Sequence, residues 1–336
     1  MTIRIAVDAM GGDHAPKAIV DGVIEAAKAD SSLELILVGI PSELPNASEL
    51  PKNVYIMECG SVMAMDESVE KLRSKRDSSI WVATKLVKDG EADAIISCGS
   101  TAAQMASALL LLKRIPGIDR PAISITLPNE KGGSVLLDAG ANVEVTPKQY
   151  QQFAIMGSVA AEIMLGRNNP KVALLSNGTE EHKGTAELQE AYAILKETDL
   201  NFQGYIEGRD LMTGEIDVIV TDGFTGNVVI KEAEGVAKTL VSILKTQLMS
   251  SMKSKIGAVL AKDAFTYLKN VMDYKNVGGA PLLGVQGVSL VCHGSSDARA
   301  VKNAVLAAKS CVESNFVEVI GGKIKNEMSK VEENEE

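Results

Sequence analysis

Residues 3–29 read IRIAVDAMGGDHAPKAIVDGVIEAAKA, and the class of fold follows from them. Ile3–Val7 is a short apolar run that ends in a turn with two adjacent glycines, and Pro16–Ala29 carries a helical pattern. The same unit recurs outward along the chain. Further strands are predicted at Leu33–Val38, Val54–Met57, Ala94–Ser97, Ala122–Thr126, Val135–Asp138, Val172–Leu175, Phe202–Ile206, Val218–Thr221 and Val288–Cys292. Helices are predicted at Ile80–Lys88, Ala102–Leu112, Pro147–Leu165, Thr185–Lys196, Asn227–Ser250 and Asp297–Val317. Continuous apolar strands alternating with helices imply an α/β fold, a three-layer α/β/α arrangement with a mainly parallel sheet covered on both faces. No repeat and no Gly/Ser linker divides the chain, so residues 1–322 are expected to form a single α/β domain. The charged tail, 323–336, is expected to fray.

One segment departs from the alternation. Residues from about 232 to 274 read as an inserted, protruding helical hairpin. Val236, Leu240, Ile243, Leu244 and Leu248 form one apolar stripe, suited to the chain's own core or to a dimer mate. Beyond Ser250, Met252, Ile256, Val259 and Leu260 recur at helical offsets beside Lys253, Lys255 and Lys262. A lysine-edged apolar stripe suits an anionic membrane surface or a partner groove.

Composition narrows the function. The 336 residues are 46% hydrophobic and 23% charged, which argues against long disorder. A formal net charge of −10 argues against a general nucleic-acid binder, which needs a basic face to neutralise phosphates. The cysteines (Cys59, Cys98, Cys292, Cys311) are too widely spaced for a disulfide framework or a zinc motif, and suit reduced thiols in a cytoplasm. The N-terminus begins with a strand and lacks a signal-peptide core, and nowhere do about 18 apolar residues run together. A soluble intracellular enzyme is the expectation.

The strand ends carry the chemistry. They read Asp8-Ala-Met-Gly-Gly-Asp-His14, Ser97-Cys-Gly99-Ser100-Thr101, Asp138-Ala-Gly140-Ala-Asn142, Ser176-Asn177-Gly178-Thr179-Glu180, Thr221-Asp222-Gly223-Phe-Thr225-Gly226-Asn227 and His293-Gly294-Ser295-Ser296-Asp297. Ligands of open parallel sheets gather beyond the carboxyl ends of the strands. There, glycine admits a close backbone approach, and a helix N-terminus offers N–H groups to an anion. Any one such turn also serves simply to cap a helix. Six together favour a phosphate or other oxyanion site. His14, His182 and His293 all lie beside these turns, but no HxH or HExxH spacing marks a metal site. Asp13, Asp138 and Asp222 are the carboxylates that a Mg²⁺ would use. Cys98 raises the question of a thiol nucleophile, yet no base stands at a recognisable spacing.

At these turns the chain resembles a known family along nearly its whole length. DAMGGDHAP (Asp8–Pro16), LRSKRDSS (Leu72–Ser79), GIDRPA (Gly117–Ala122), LLDAGAN (Leu136–Asn142), NGTE followed by KG (Asn177–Gly184), TDGFTGN (Thr221–Asn227), GGAPLLG (Gly278–Gly284) and HGSSD (His293–Asp297) occur in order. All are similar to motifs of bacterial phosphate acyltransferases. That family usually shows SAGNTGA where this chain has Ser97-Cys98-Gly99-Ser100-Thr101-Ala102-Ala103, so the thiol is not a family-wide nucleophile.

The resemblance implies transfer of a fatty acyl group from acyl-acyl carrier protein to inorganic phosphate, giving acyl-phosphate for phosphatidic acid synthesis. It implies a fold related to phosphotransacetylases and isocitrate/isopropylmalate dehydrogenases, a homodimer in the cytoplasm, and peripheral contact with the membrane or a membrane-bound glycerol-phosphate acyltransferase. It implies no nucleotide, no cofactor and no obligatory metal. Gly11, Gly12, Gly99, Ser100 and Thr101 are then expected to contact phosphate or an oxyanion. His14, Lys183 and His293 would neutralise charge or move a proton, and Asp222 and Asn227 would position groups. Asp8, Asp13, Asp138, Asn142, Asn177, Gly178, Thr179, Gly223, Gly226 and Ser295 complete the expected substrate site. Lys71, Arg73, Lys75 and Arg76 form the densest basic run, suited to docking an acidic carrier protein or to a solvated face. Two rivals stand beside this reading: a phosphotransacetylase acting on acyl-CoA, and a non-catalytic carrier-protein-binding regulator at the membrane.

Overall fold

The computed structural model describes residues 2–272 and 278–335. The strands are β1 (Ile3–Asp8), β2 (Leu33–Gly39), β3 (Val54–Glu58), β4 (Ala94–Ser97), β5 (Ala122–Ile123), β6 (Ile125–Leu127), β7 (Ser134–Leu137), β8 (Val172–Ser176), β9 (Phe202–Glu207), β10 (Val218–Val220), β11 (Ala280–Leu283) and β12 (Val288–Val291). The helices are α1 (Lys17–Ala29), α2 (Ser79–Lys88), α3 (Thr101–Leu111), α4 (Pro147–Leu165), α5 (Ala186–Lys196), α6 (Gly223–Leu248), α7 (Met252–Leu260), α8 (Lys262–Met272), α9 (Ala298–Glu313) and α10 (Phe316–Glu335).

The α/β class and the mainly parallel pairing stand, but the strands form two sheets rather than one. The first runs β3-β2-β1-β4-β12-β11-β5 and the second β6-β7-β10-β8-β9. Among the described strands, β11 with its two neighbours, and β6 with β7, pair antiparallel and the rest pair parallel. The division occurs inside Ala122–Thr126, expected as one strand. Ser124 donates its backbone N–H to Pro281 O at 3.0 Å. On one side of it β5 pairs with β11, and on the other β6 pairs with β7.

One core nonetheless runs through both sheets. Ile5, Leu35 and Leu290 of the first share a buried cluster with Leu137, Val172 and Val218 of the second. α4 lies within it, buried on every side from Tyr150 to Ala161 and packed against β7, β10, α9 and α10. A helix apolar all round belongs in a core, and burying Phe153 alone contributes about 1.5–3 kcal/mol. Thr146 and Gln149 bracket its start in a reciprocal capping box, and Gly166 (φ 64°) ends it in the left-handed region.

Two expected boundaries move. Asp297–Val317 is not one helix, because Asn315 (φ 50°) turns the chain between α9 and α10. The expected tail begins inside α10, at Lys323. Its ammonium pairs with Glu162 at 2.8 Å, Ile324 is fully buried, and α10 continues to Glu335.

The hairpin is three helices, α6, α7 and α8, with a break at Met249–Ser251; its expected last residues, Asp273 and Tyr274, lie outside the described residues. Val236, Leu240, Ile243 and Leu244 are exposed, so the first stripe does not pack into this chain's own core. Met252, Ile256, Val259 and Leu260 are more exposed still, Leu260 to 83%.

α1 and α9 approach closely at Gly22, where a Cβ would meet Ala298 O at 2.5 Å. Beside them the Lys309 ammonium lies 2.5 Å from Asp30 and holds that carboxyl down at about 2. A carboxyl held low when folded takes its proton later than in the unfolded chain. Its stabilisation is therefore present above about pH 4 and lost as pH falls toward 2. In urea melts across that window, the stability gap between wild type and Lys309→Met is expected to close as pH falls.

Candidate active site

In the first sheet β1, β4 and β12 are adjacent and parallel, so their C-terminal turns lie side by side. The Asp8 carboxylate joins two of them. Its Oδ2 accepts the Ser97 hydroxyl at 2.6 Å and its Oδ1 the Met10 N–H at 3.2 Å, while Ser97 Oγ accepts the Gly99 N–H at 3.0 Å. Burial pushes the Asp8 carboxyl above the usual range, against hydrogen bonds from Ser79 and Ser97 that lower it. Asp8 thus fastens the two turns together.

Gly11 and Gly12 are required by this closeness. A Cβ at Gly11 would lie 2.7 Å from both Gly99 N and Asp8 Oδ2. Gly12 has φ 107°, and a Cβ there would lie 3.0 Å from Gly294 O. Asp13 donates its N–H to the same Gly294 O at 2.8 Å, which ties the β1 turn to the β12 turn. Ser100 caps α3, its hydroxyl accepting the Ala103 N–H at 3.4 Å. Among the described residues, the N–H groups of Thr101 and Ala102 have no intramolecular acceptor.

In the second sheet the β7 and β10 turns interlock. Asp138 is fully buried and accepts five N–H donors. Ile123, Gly140 and Ala141 reach Oδ1 at 3.0–3.2 Å, and the backbone and side-chain amides of Asn142 reach Oδ2 at 2.6 and 2.8 Å. Burial raises this carboxyl, opposed by its bonds from Ala141, Asn142 and Ile123. Asn142 also donates to Pro121 O at 2.7 Å, and its carbonyl accepts the Gly223 N–H at 2.7 Å. Asp138 and Asn142, expected in the substrate site, also hold their turn together through these bonds. Asp222 caps α6, accepting the Thr225 N–H and hydroxyl, each at 2.7 Å.

Between the two sets of turns lies a cavity of about 260 Å³ with mainly apolar walls. The expected residues Thr101, Asn227 and His293 line it. So do Ser124, Ile125, Thr126, Ile230, Glu234, Pro281, Cys292 and Ser296, which were not expected. Ile230 and Glu234 follow Asn227 at offsets 3 and 7 on α6, a spacing that points to them once Asn227 is placed. His293 Nδ1 accepts the Ser295 N–H at 3.1 Å and meets the Ser295 hydroxyl at 2.8 Å, so the neutral ring carries its proton on Nε2.

The charges around the cavity are unequal. α6 and α9 begin with carboxylate caps, Asp222 and Asp297, which offset their positive dipole ends. α3 begins with neutral Ser100 and has no acid in its first turn. An anion therefore finds its most favourable place at Thr101 and Ala102, beside Gly11 and Gly12.

Other expected residues stand apart. Asn177 Oδ1 accepts the Gly184 N–H at 3.2 Å and folds the β8 turn on itself, with the Lys183 stem against Gly178. Among the described residues, neither these nor Thr179 line the cavity. His14 is exposed beyond the β1 turn. Cys98 is buried in the core cluster, not in the cavity. Lys71 and Lys75 both pair with Glu67, at 3.5 and 2.7 Å, while Arg73 and Arg76 are exposed without a carboxylate partner among the described residues, Arg76 lying over the Trp81 ring. No grouping of three or more His, Cys, Asp or Glu side chains suited to a metal ion occurs among the described residues. No helix among them is long and apolar enough to cross a membrane.

Comparison with known proteins agrees with this geometry. A family model described as "Fatty acid synthesis protein" matches residues 3–319. A phosphate acyltransferase of Heliobacterium modesticaldum is 50% identical, over 98% of this chain and 100% of its own. One from Desulfitobacterium hafniense is 49% identical, over 95% and 96%. Among solved structures, a phosphotransacetylase from Streptococcus pyogenes superposes with a TM-score of 0.63 at 18% identity, covering 93% of this chain and 94% of its own. A branched-chain phosphotransacylase from Enterococcus faecalis gives 0.58 at 14%, covering 92% and 99%. The last two share the fold; with relatives near half identity aligned end to end, the chain belongs to the phosphate acyltransferase family.

Proposed function

We propose that this chain transfers a fatty acyl group from acyl-acyl carrier protein to inorganic phosphate, giving acyl-phosphate for phospholipid synthesis in the cytoplasm. The observation that carries the reading is the neutral-capped start of α3, with acceptor-free N–H groups at Thr101, which lines an apolar cavity, and at Ala102 next to it. Phosphate held there attacks the thioester carbonyl carbon. The tetrahedral intermediate collapses with loss of the pantetheine thiolate, whose developing charge accepts a hydrogen bond from His293 Nε2–H and which then takes a proton from solvent. Preorganised N–H donors and orientation supply most of the rate. Direct attack is supported by the place of Cys98 in the core and by the Cys292 thiol at the cavity wall, which its hydrogen bond with Cys98 and burial hold well above the usual range.

The test mixes the purified protein with phosphate and either acyl-acyl carrier protein or acyl-CoA, and measures acyl-phosphate. Preference for acyl-CoA would favour the phosphotransacetylase reading, and no product from either would favour the non-catalytic one. An acyl adduct lost together with activity in Cys98→Ala would overturn direct attack.

Docking of the acidic carrier protein falls to Arg73 and Arg76. This segment adjoins the site, since the nearby Met65 lies against Gly294. Arg73→Ala with Arg76→Ala is expected to raise KM for acyl-acyl carrier protein about tenfold, a loss of about 1.4 kcal/mol, and to leave KM for phosphate unchanged. Equal losses for both substrates would count against docking there.

The exposed stripe of α6 is suited to a second copy of the chain, and the α7 tip to a membrane surface, where a long-chain product is handed to a membrane-bound acyltransferase. Ile256→Glu with Leu260→Glu is expected to abolish flotation with anionic liposomes. Unchanged flotation would sink the membrane role.

A further inference from the structure

Cys98 and Cys292 occupy neighbouring places at the ends of β4 and β12. These strands are parallel and in register, Ile96 with Leu290 and Ser97 with Val291. The ladder runs one step further, since Cys292 donates its N–H to Ser97 O at 2.8 Å. Side chains alternate along a strand, so Ile96 and Cys98 share a face with Leu290 and Cys292, and all four lie in one buried cluster. Neighbouring strands run about 4.8 Å apart, within the Cα separation of about 4.4–6.8 Å that a disulfide spans. The two thiols differ in access: Cys292 lines the cavity, while Cys98 lies beneath it, 2% exposed.

We propose that Cys98 and Cys292 are an oxidisable pair, which a peroxide entering the cavity converts to a disulfide that switches the site off. The Cys292 thiolate attacks one peroxide oxygen, the O–O bond breaks, and water leaves behind a sulfenic acid. The Cys98 sulfur then attacks the Cys292 sulfur, the S–O bond breaks, and a second water leaves. In total two thiols give up two electrons and two protons, and the peroxide is reduced to two waters. A dithiol reverses the reaction by exchange. The hydrogen bond with Cys98, and then burial, push the Cys292 thiol well above its usual value, so thiolate is scarce and the reaction is slow.

Inactivation follows from geometry. A disulfide draws the two Cβ atoms to about 3.8 Å, closer than strands at ladder spacing hold them. Both strand ends must then shift, and they carry the Gly99–Thr101 and His293–Ser296 turns. Gly12 packs directly on Cys98, its Cβ position 3.0 Å from Cys98 Cβ, so the β1 turn shifts with them.

The experiment treats the whole protein with millimolar hydrogen peroxide, blocks remaining thiols with N-ethylmaleimide, and maps peptides without reduction. The expected result is a Cys98–Cys292 linked peptide appearing in step with at least a tenfold loss of acyl-phosphate formation, both reversed by dithiothreitol. Cys98→Ala, or Cys98→Ser where the alanine variant is unstable, is expected to keep its activity at the same dose. Cys59, in a separate core cluster, and Cys311, on α9, serve as internal controls. Absence of the linked peptide, linkage through Cys59 or Cys311 instead, or full activity in the linked protein would each overturn the proposal. The linkage is read by mass, so a failure of the proposed activity itself is distinguished from a failure of the switch.

Discussion

Gly226→Ala is expected to unfold the second sheet's turns or leave a protein destabilised by about 3 kcal/mol or more in chemical denaturation. A Cβ at this position would lie 1.9 Å from the backbone oxygen of Asp138 and 3.1 Å from Thr221 Cγ2. No rotamer change relieves a clash with main chain. The Asp138 backbone is itself held by the donors that converge on its carboxylate, so it has nowhere to move. The control lies on the same helix. Gly235 is exposed, with nothing within 4 Å of its Cβ position, so Gly235→Ala is expected to add about 0.5–1 kcal/mol by helix propensity. Destabilisation of similar size in both variants would mean that helix α6 as a whole, and not the approach to Asp138, is the sensitive element.

His293→Gln is expected to lower kcat by about 10²- to 10³-fold, the usual worth of a donor aimed at developing charge, with little change in melting temperature. The ring is exposed at the cavity and lies outside the buried core, which separates chemistry from stability here. Its tautomer is set by the Ser295 N–H on Nδ1, so Ser295→Ala, which keeps that N–H, is expected to cost far less than His293→Gln. The loss should also depend on the leaving group. A thioester whose thiol has a lowered pKa needs less stabilisation of its leaving sulfur, and should recover a good part of the lost rate. Equal losses for good and poor leaving groups would assign His293 to binding instead.

The strands were legible because buried parallel strands are continuous apolar runs, and β1, β2 and β4 lie within a residue of their predicted bounds. The second sheet was not legible. Ala122-Ile-Ser-Ile-Thr126 looks like one strand, and what divides it is the bond of Ser124 to Pro281, far along the chain. β11 itself was hidden by that proline, which argues against a strand when read locally. The site was half legible. A carboxylate at a strand end reads the same whether it meets a ligand or gathers hydrogen-bond donors, and the donors around Asp8 and Asp138 appear only once the turns are assembled. Thr101, Asn227 and His293 were legible because each follows a strand whose neighbours bring it to the cavity.

The unequal capping of the helices has a consequence for kinetic partitioning. Water and phosphate compete for the same activated acyl carbon, and water is present at far higher concentration. A corner whose attraction is purely that of N–H groups and a dipole gives a neutral nucleophile little advantage and an anionic one a residence. With Asp222 and Asp297 discouraging anions at the other two helix starts, the nucleophile is held in one orientation toward the carbonyl. The proposed enzyme would thus suppress hydrolysis of its thioester by sorting nucleophiles by charge, and the ratio of acyl-phosphate to free acid measures how well a neutral serine cap does so.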